Sequence, residues 1–167
     1  MLFRSEVEFD ETVTLNLTSG TGYTVGTPNA VTGTILDDDD YIPVSLVGKW
    51  DYLSYARAVT VVGNYAYAVG DTLEIIDISN PGNPVFKGSY NNTSGYAQDV
   101  QVVGNYAYVA DWDSGLQIID ISNPAAPTLK GNYPYGYAQD VQVVGNYAYV
   151  ADWDSGLQII DISNPAA

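Results

Sequence analysis

One block of 32 residues, GYAQDVQVVGNYAYVADWDSGLQIIDISNPAA, stands at Gly95–Ala126 and again, without a single change, at Gly136–Ala167, an offset of 41. A more divergent copy begins at Tyr55 and reads YARAVTVVGNYAYAVGDTLEIIDISNP. Its first half aligns at the offset of 41 (Tyr55 to Tyr96) and its second half at 43 (Ile75 to Ile118), so two residues are missing between Tyr67 and Leu73. There Gly70-Asp71-Thr72 replaces Asp111-Trp112-Asp113-Ser114-Gly115. Length changes concentrate in loops, so the gap marks a turn. Segments of identical sequence carry identical local preferences, and the fold must be built from one repeated unit.

Each unit reads as four short strands. Ala97–Val103 is rich in valine, and Gly104-Asn105 after it is a signal for a primed hairpin turn. In Tyr106–Ala110 the tyrosines alternate with Ala107 and Val109, which places the two sets on opposite faces. Asp113-Ser114-Gly115 turns the chain into Leu116–Ser122, whose apolar residues lie on both faces and predict a strand covered on both sides. Asn123-Pro124 breaks that strand. Thr128–Tyr133 is the fourth. Helical periodicity is absent.

Four antiparallel strands repeating about every 41 residues predict an all-β chain, an incomplete arc of β-propeller blades. A parallel β-helix uses shorter coils, and a sandwich gives no reason for an identical block. The units resemble the LVIVD repeat of bacterial and archaeal surface proteins, on GNYAYVAD, GLQIIDISNP and the fourth-strand Leu-Lys-Gly-Asn-Tyr. The resemblance covers roughly residues 42–167 and divides them at 42–94, 95–135 and 136–167, the last unit lacking its fourth strand. It implies stacked radial sheets and an extracellular or cell-surface location.

Residues 1–40 share no period with the rest. Thr12–Leu17 and Ala30–Leu36 read as strands around a Gly/Thr/Asn/Pro loop. The acidic lead-in to a V-x-L strand, the Gly-Tyr-Thr-Val-Gly loop and the closing acidic run resemble the C-terminal part of a Calx-beta module, an immunoglobulin-like sandwich. In calcium-binding members the carboxylates at those two ends form the metal site, which implicates Glu8, Glu11, Asp38, Asp39 and Asp40. Calcium takes six to eight oxygen ligands from convergent loops. The alternative for the same residues is a solvated, self-repelling acidic linker. Beginning inside one module and stopping inside another, the chain reads as a fragment of a longer protein.

Composition narrows the chemistry. There is no cysteine and no histidine, which removes disulfides, thiolate or imidazole metal sites and histidine acid–base catalysis. Twenty acidic against five basic residues leave a net charge of −15, and a nucleic-acid backbone would be repelled. No apolar run approaches the ~20 residues that span a bilayer.

Four sets of residues invite a functional reading. Asp111-Trp112-Asp113-Ser114-Gly115 and its copy at Asp152–Gly156 begin like a calcium loop but lack the later ligands. Carboxylates capping the turn are the simpler reading. Asp99 and Gln101, with Asp140 and Gln142, alternate on the first strand, where a propeller has its central channel. They are read as a hydrated wall or as a polar site, and identical repeats would give the carboxylates like environments. Asp77, Asp120 and Asp161 each precede Ile-Ser-Asn-Pro and read as turn caps. Among fifteen tyrosines and three tryptophans, Trp112 and Trp153 on turns are the candidates for binding a protein or glycan ligand.

The expected function is a non-enzymatic interaction or adhesion scaffold with no certain cofactor, Ca²⁺ being the one suggested. A hydrolase or lyase using Asp99 with Asp140 is the alternative, and a purely structural spacer a third.

Overall fold

The computed structural model describes residues 11–16, 30–35, 44–91 and 96–165. The chain divides into two units, Met1–Ser45 and Leu46–Ala167. In the first, β1 (Glu11–Asn16) and β2 (Ala30–Ile35) form an antiparallel pair with Glu11 opposite Ile35 and Asn16 opposite Ala30. Both strands fall within a residue of the positions expected from sequence. Glu8, Asp38, Asp39 and Asp40 lie outside the described residues, and of Glu11 only the backbone is described.

In the second unit each repeat makes its own antiparallel sheet, as the hairpin signals require. The first sheet holds β3 (Ala58–Val62), β4 (Tyr65–Val69), β5 (Leu73–Asp77) and β6 (Val85–Tyr90) in sequence order. The second holds β7 (Ala97–Val103), β8 (Tyr106–Asp111), β9 (Gly115–Asp120) and β10 (Thr128–Tyr133). The third holds β11 (Ala138–Val144), β12 (Tyr147–Asp152) and β13 (Gly156–Asp161). Among the described residues these are eleven strands in three sheets of three or four, and they do not close into a barrel.

Local chemistry sets the turns. Gly63, Gly104 and Gly145 all have φ of 59° while the asparagine after each does not turn positive. That is a hairpin with glycine at its first central position. The asparagine carbonyl is then used: Asn64, Asn105 and Asn146 accept from the N–H of Ile78, Ile121 and Ile162 at 2.8, 2.9 and 2.8 Å. This ties the end of each third strand to the preceding hairpin.

The sheets stack face to face. Tyr67, Val69, Leu73 and Ile75 of the first pack on Ala97, Val100, Ala107 and Val109 of the second. The opposite face of the second sheet, with Tyr108, Ala110, Leu116 and Ile118, packs on Val141, Ala148 and Val150 of the third. Thus Ala107 and Tyr108, neighbours in sequence, belong to different cores, as alternation demands. β7 lies between β3 and β11, so the first strands run beside one another.

Stacking makes identical sequences unequal. Leu116 and Ile118 in the middle sheet are 1% and 5% exposed, whereas Leu157 and Ile159, the same residues one repeat later, are 67% and 59% exposed. Each such side chain contributes about 1.5–3 kcal/mol when covered. The middle sheet therefore holds much of the apolar stabilisation of this unit.

Candidate functional site

The acidic turns are occupied by their own backbone. Asp111 Oδ1 accepts from Asp113 N (3.1 Å) and Ser114 N (3.0 Å), and Asp152 Oδ1 from Asp154 N (3.1 Å) and Ser155 N (2.7 Å). Both carboxylates are buried. The first repeat, with Gly70 in place of the acid, closes its turn by Gly70 N to Thr72 O instead (3.1 Å). Asp77, Asp120 and Asp161 likewise accept from the N–H of Ser79, Ser122 and Ser163, each at 2.9 Å. Hydrogen bonds from those serines hold all three carboxyls below the usual carboxylate range. Among the described residues no three His, Cys, Asp or Glu side chains gather in a group suited to a metal ion.

The first-strand polar residues join sheets rather than simply line a wall. Asp99 Oδ2 accepts from Val141 N at 3.1 Å, and Gln101 Oε1 accepts from Val143 N. β11 pairs with β12 on one side. Its outward N–H groups would otherwise be an open sheet edge, which the side chains of β7 close. Their counterparts in the first repeat, Ala58 and Thr60, offer no carboxylate or amide, and there Arg57 Nη1 donates to Gln98 Oε1 across the sheets at 3.0 Å. The expectation of like environments for Asp99 and Asp140 fails for the same reason. Asp99 has a neighbouring strand to bond. Asp140, on the last sheet, has its carboxyl raised above the ordinary value by partial burial and by the charge of Asp99.

The structure brings Trp112 and Trp153 together. Each sits in the turn between the second and third strands of its sheet. Each is pinned by its backbone N–H to the carbonyl of the tyrosine preceding the first strand: Trp112 to Tyr96 and Trp153 to Tyr137, both at 3.1 Å. Stacking of the sheets then sets Trp112 5.2 Å from Tyr137 and 5.9 Å from Trp153, between ring centroids. Trp153 is 70% exposed and Tyr96 52%. Where the first repeat lacks its tryptophan, Arg57 takes the place and lies 5.3 Å over the Tyr96 ring. Arg57, Tyr96, Gln98 and Trp112 line a pocket of about 330 Å³.

The result is a ridge of rings with one guanidinium and one amide at its end. Flat rings bind the apolar faces of sugars or aromatic side chains, and Arg57 with Gln98 supplies directed donors. Sequence reading found the two tryptophans and missed Arg57, Tyr96, Gln98 and Tyr137. The available signal was the column Tyr55, Tyr96, Tyr137 at the start of each unit, with Arg57 as the single cation in the column of Gln98 and Gln139.

No curated protein matches the chain. Among solved structures the computationally designed Ika8 protein is similar with a TM-score of 0.52 and 12% identity, over 64% of this chain and 33% of that one. The computationally designed Ika4 protein is similar at 0.46 and 11%, over 73% and 100%. The chain thus spans about a third of the length of Ika8, and that likeness bears on the fold alone. The LVIVD repeat matches residues 54–92, 94–134 and 135–167, in step with the three sheets. By that match over most of its length, the chain belongs to the LVIVD repeat family.

Proposed function

We propose that this chain is a non-enzymatic interaction scaffold of an extracellular or cell-surface protein. Its sheets form an arc of a β-propeller, and the segment before them is a Calx-beta spacer. The carrying observation is the aromatic ridge of Tyr96, Trp112, Tyr137 and Trp153, ending in Arg57 and Gln98. Repetition of a turn supplies a tryptophan in the second and third units, and a row of such turns suits an extended ligand such as a glycan chain. The use of most repeated acids as caps and inter-sheet ties supports a non-catalytic reading.

The test is a glycan array probed with the whole chain. Binding to a defined class of glycan that is lost in Trp112→Ala and in Trp153→Ala, with circular dichroism unchanged, is the expected result. A signal indifferent to both substitutions refutes the site. Calcium at Glu8, Glu11, Asp38, Asp39 and Asp40 belongs to the same proposal, and a flat calorimetric trace at millimolar Ca²⁺ removes it.

One observation favours a second reading. Asp99 and Asp140 sit in unlike environments, which is what an acid and a base require. Against it, Asp99 is held by Val141 N. Turnover on a panel of glycosides and esters, abolished by Asp140→Asn, would establish the hydrolase or lyase instead.

A further inference from the structure

The two residues missing from the first repeat leave a cleft. Between the second and third sheets, Trp112 packs on the Tyr137 ring at 5.2 Å. The corresponding ring one junction earlier is Tyr96, and the turn that would bring a tryptophan to it is the shorter Gly70-Asp71-Thr72. What remains there is the pocket of about 330 Å³. Both of its walls belong to the interior of the stack. Arg57 comes from the start of the first sheet, and Tyr96, Gln98 and Trp112 come from the second.

A chain of hydrogen bonds orients the lining. The Tyr96 carbonyl accepts from Trp112 N at 3.1 Å and from Gln98 Nε2 at 3.0 Å. With its nitrogen so engaged, Gln98 turns Oε1 to Arg57 Nη1 at 3.0 Å. Arg57 N donates to the Val69 carbonyl at 2.8 Å, which fixes the base of the side chain. The guanidinium is therefore positioned by a neutral amide and by the Tyr96 ring, 5.3 Å from its centre. Among the described residues no carboxylate pairs with it, whereas Lys49 is paired with Asp51 at 2.6 Å. In a chain of twenty acids and five bases, this exposed cation is held by neutral groups, and its charge is left for a ligand.

Nη1 is taken by Gln98. The edge formed by Nε and Nη2 presents parallel donors, the fork that matches a carboxylate. Beside it stands Trp112, half-buried, a surface for the apolar face of a sugar ring. A uronic acid joins the two features rigidly, because its carboxylate is bonded directly to the pyranose and stacking of the ring sets where the charge lies. The volume is at the lower end of the ~300–1,000 Å³ of ligand sites, which suits one sugar residue at a time. An acidic peptide would need partners for its backbone, and among the described residues the lining offers only the Gln98 amide.

We propose that this cleft binds the uronic-acid residues of an acidic glycan, with Arg57 selecting the carboxylate. The proposal rests on the reading of the aromatic ridge as a glycan site and goes beyond it by fixing the class of sugar. The acids elsewhere on the chain oppose such a ligand weakly, since charges beyond ~8 Å are screened at physiological salt.

Calorimetric titration of the whole chain tests this, at physiological salt and with a chelator so that calcium bridges contribute nothing. The probes are oligomers of galacturonate, guluronate and glucuronate, and their methyl esters, which keep the ring and lose the charge. At least one acid should bind, about tenfold or more tighter than its ester. Arg57→Gln, matching Gln98 and Gln139 of the later repeats, should weaken the acid by the same factor and leave the ester unchanged. Lys130→Gln makes the same charge change outside the cleft and should leave both unchanged. Trp112→Ala should abolish both. Equal affinity for acid and ester, an acid indifferent to Arg57→Gln, an equal loss in Lys130→Gln, or tighter binding of poly-glutamate or a sulfated glycan than of every uronate overturns the proposal. If a neutral glycan still binds through Trp112, the ridge survives that failure. If no uronate binds and the glycan array is silent as well, both readings fall.

Discussion

Asp99→Ala and Asp140→Ala remove the same residue from the same sequence, and the structure assigns them different costs. Asp99 Oδ2 holds the N–H of Val141 at 3.1 Å, and Val141 is fully buried. Losing a hydrogen bond to a charged group costs about 1.5–3 kcal/mol. Asp99 is half-buried, so the lower part of that range, about 1.5–2 kcal/mol, applies. Asp140 sits beside the charge of Asp99, and its ionisation is disfavoured. Its removal from the single chain is expected to cost nothing, or to stabilise slightly by relieving repulsion. Urea unfolding followed by tryptophan fluorescence reads both. A midpoint lowered on the order of 1 M is expected for Asp99→Ala, and little change for Asp140→Ala. Equal losses at the two positions, or a larger loss at Asp140, would refute the tie between β7 and β11.

Two further outcomes follow from burial and charge. Leu116→Ala should cost about 2–5 kcal/mol, while Leu157→Ala in the single chain should cost under about 1 kcal/mol, by the same urea assay; similar values would contradict the face-to-face stack. The carboxyls of Asp77, Asp120 and Asp161 are depressed by hydrogen bonds from Ser79, Ser122 and Ser163. Their stabilisation is fully present above the ordinary value of 3.8 and is lost as pH falls through the lowered one. The triple substitution to Asn keeps the acceptor oxygen but not the titration, so the stability difference between the two proteins should shrink below about pH 4. A difference that grows on acidification would sink that assignment.

Strand positions were legible because they rest on short-range chemistry. Ala97–Val103 and Thr128–Tyr133 fall where alternation and the Gly-Asn signal put them, β8 and β9 each gain one residue at the acidic turn, and β9 ends two residues earlier than expected, at Asp120. That turn extends β8 to Asp111 and starts β9 at Gly115, whose φ of 69° needs no side chain. The capping role of the repeated acids was equally readable, since donor and acceptor stand two or three residues apart. The seating of Gly48 against the carbonyl of Pro81, and of Trp50 against Phe86 and Glu74, was not legible, because those partners stand far away along the chain.

The sequence by itself determined the repeated unit, its hairpins, its caps and the alternation that gives each strand two faces, all of which act within a few residues or within one sheet. Only the tertiary structure decided which copy of a face is covered, which carboxylate ties two sheets and which is left beside a like charge, and that Trp112, Tyr137 and Trp153 share one ridge. Two identical segments have identical local preferences, but burial and electrostatics depend on what stands next to them. Among the described residues the middle sheet has a neighbour on both sides and the third has one, and no periodicity within a repeat can encode that difference.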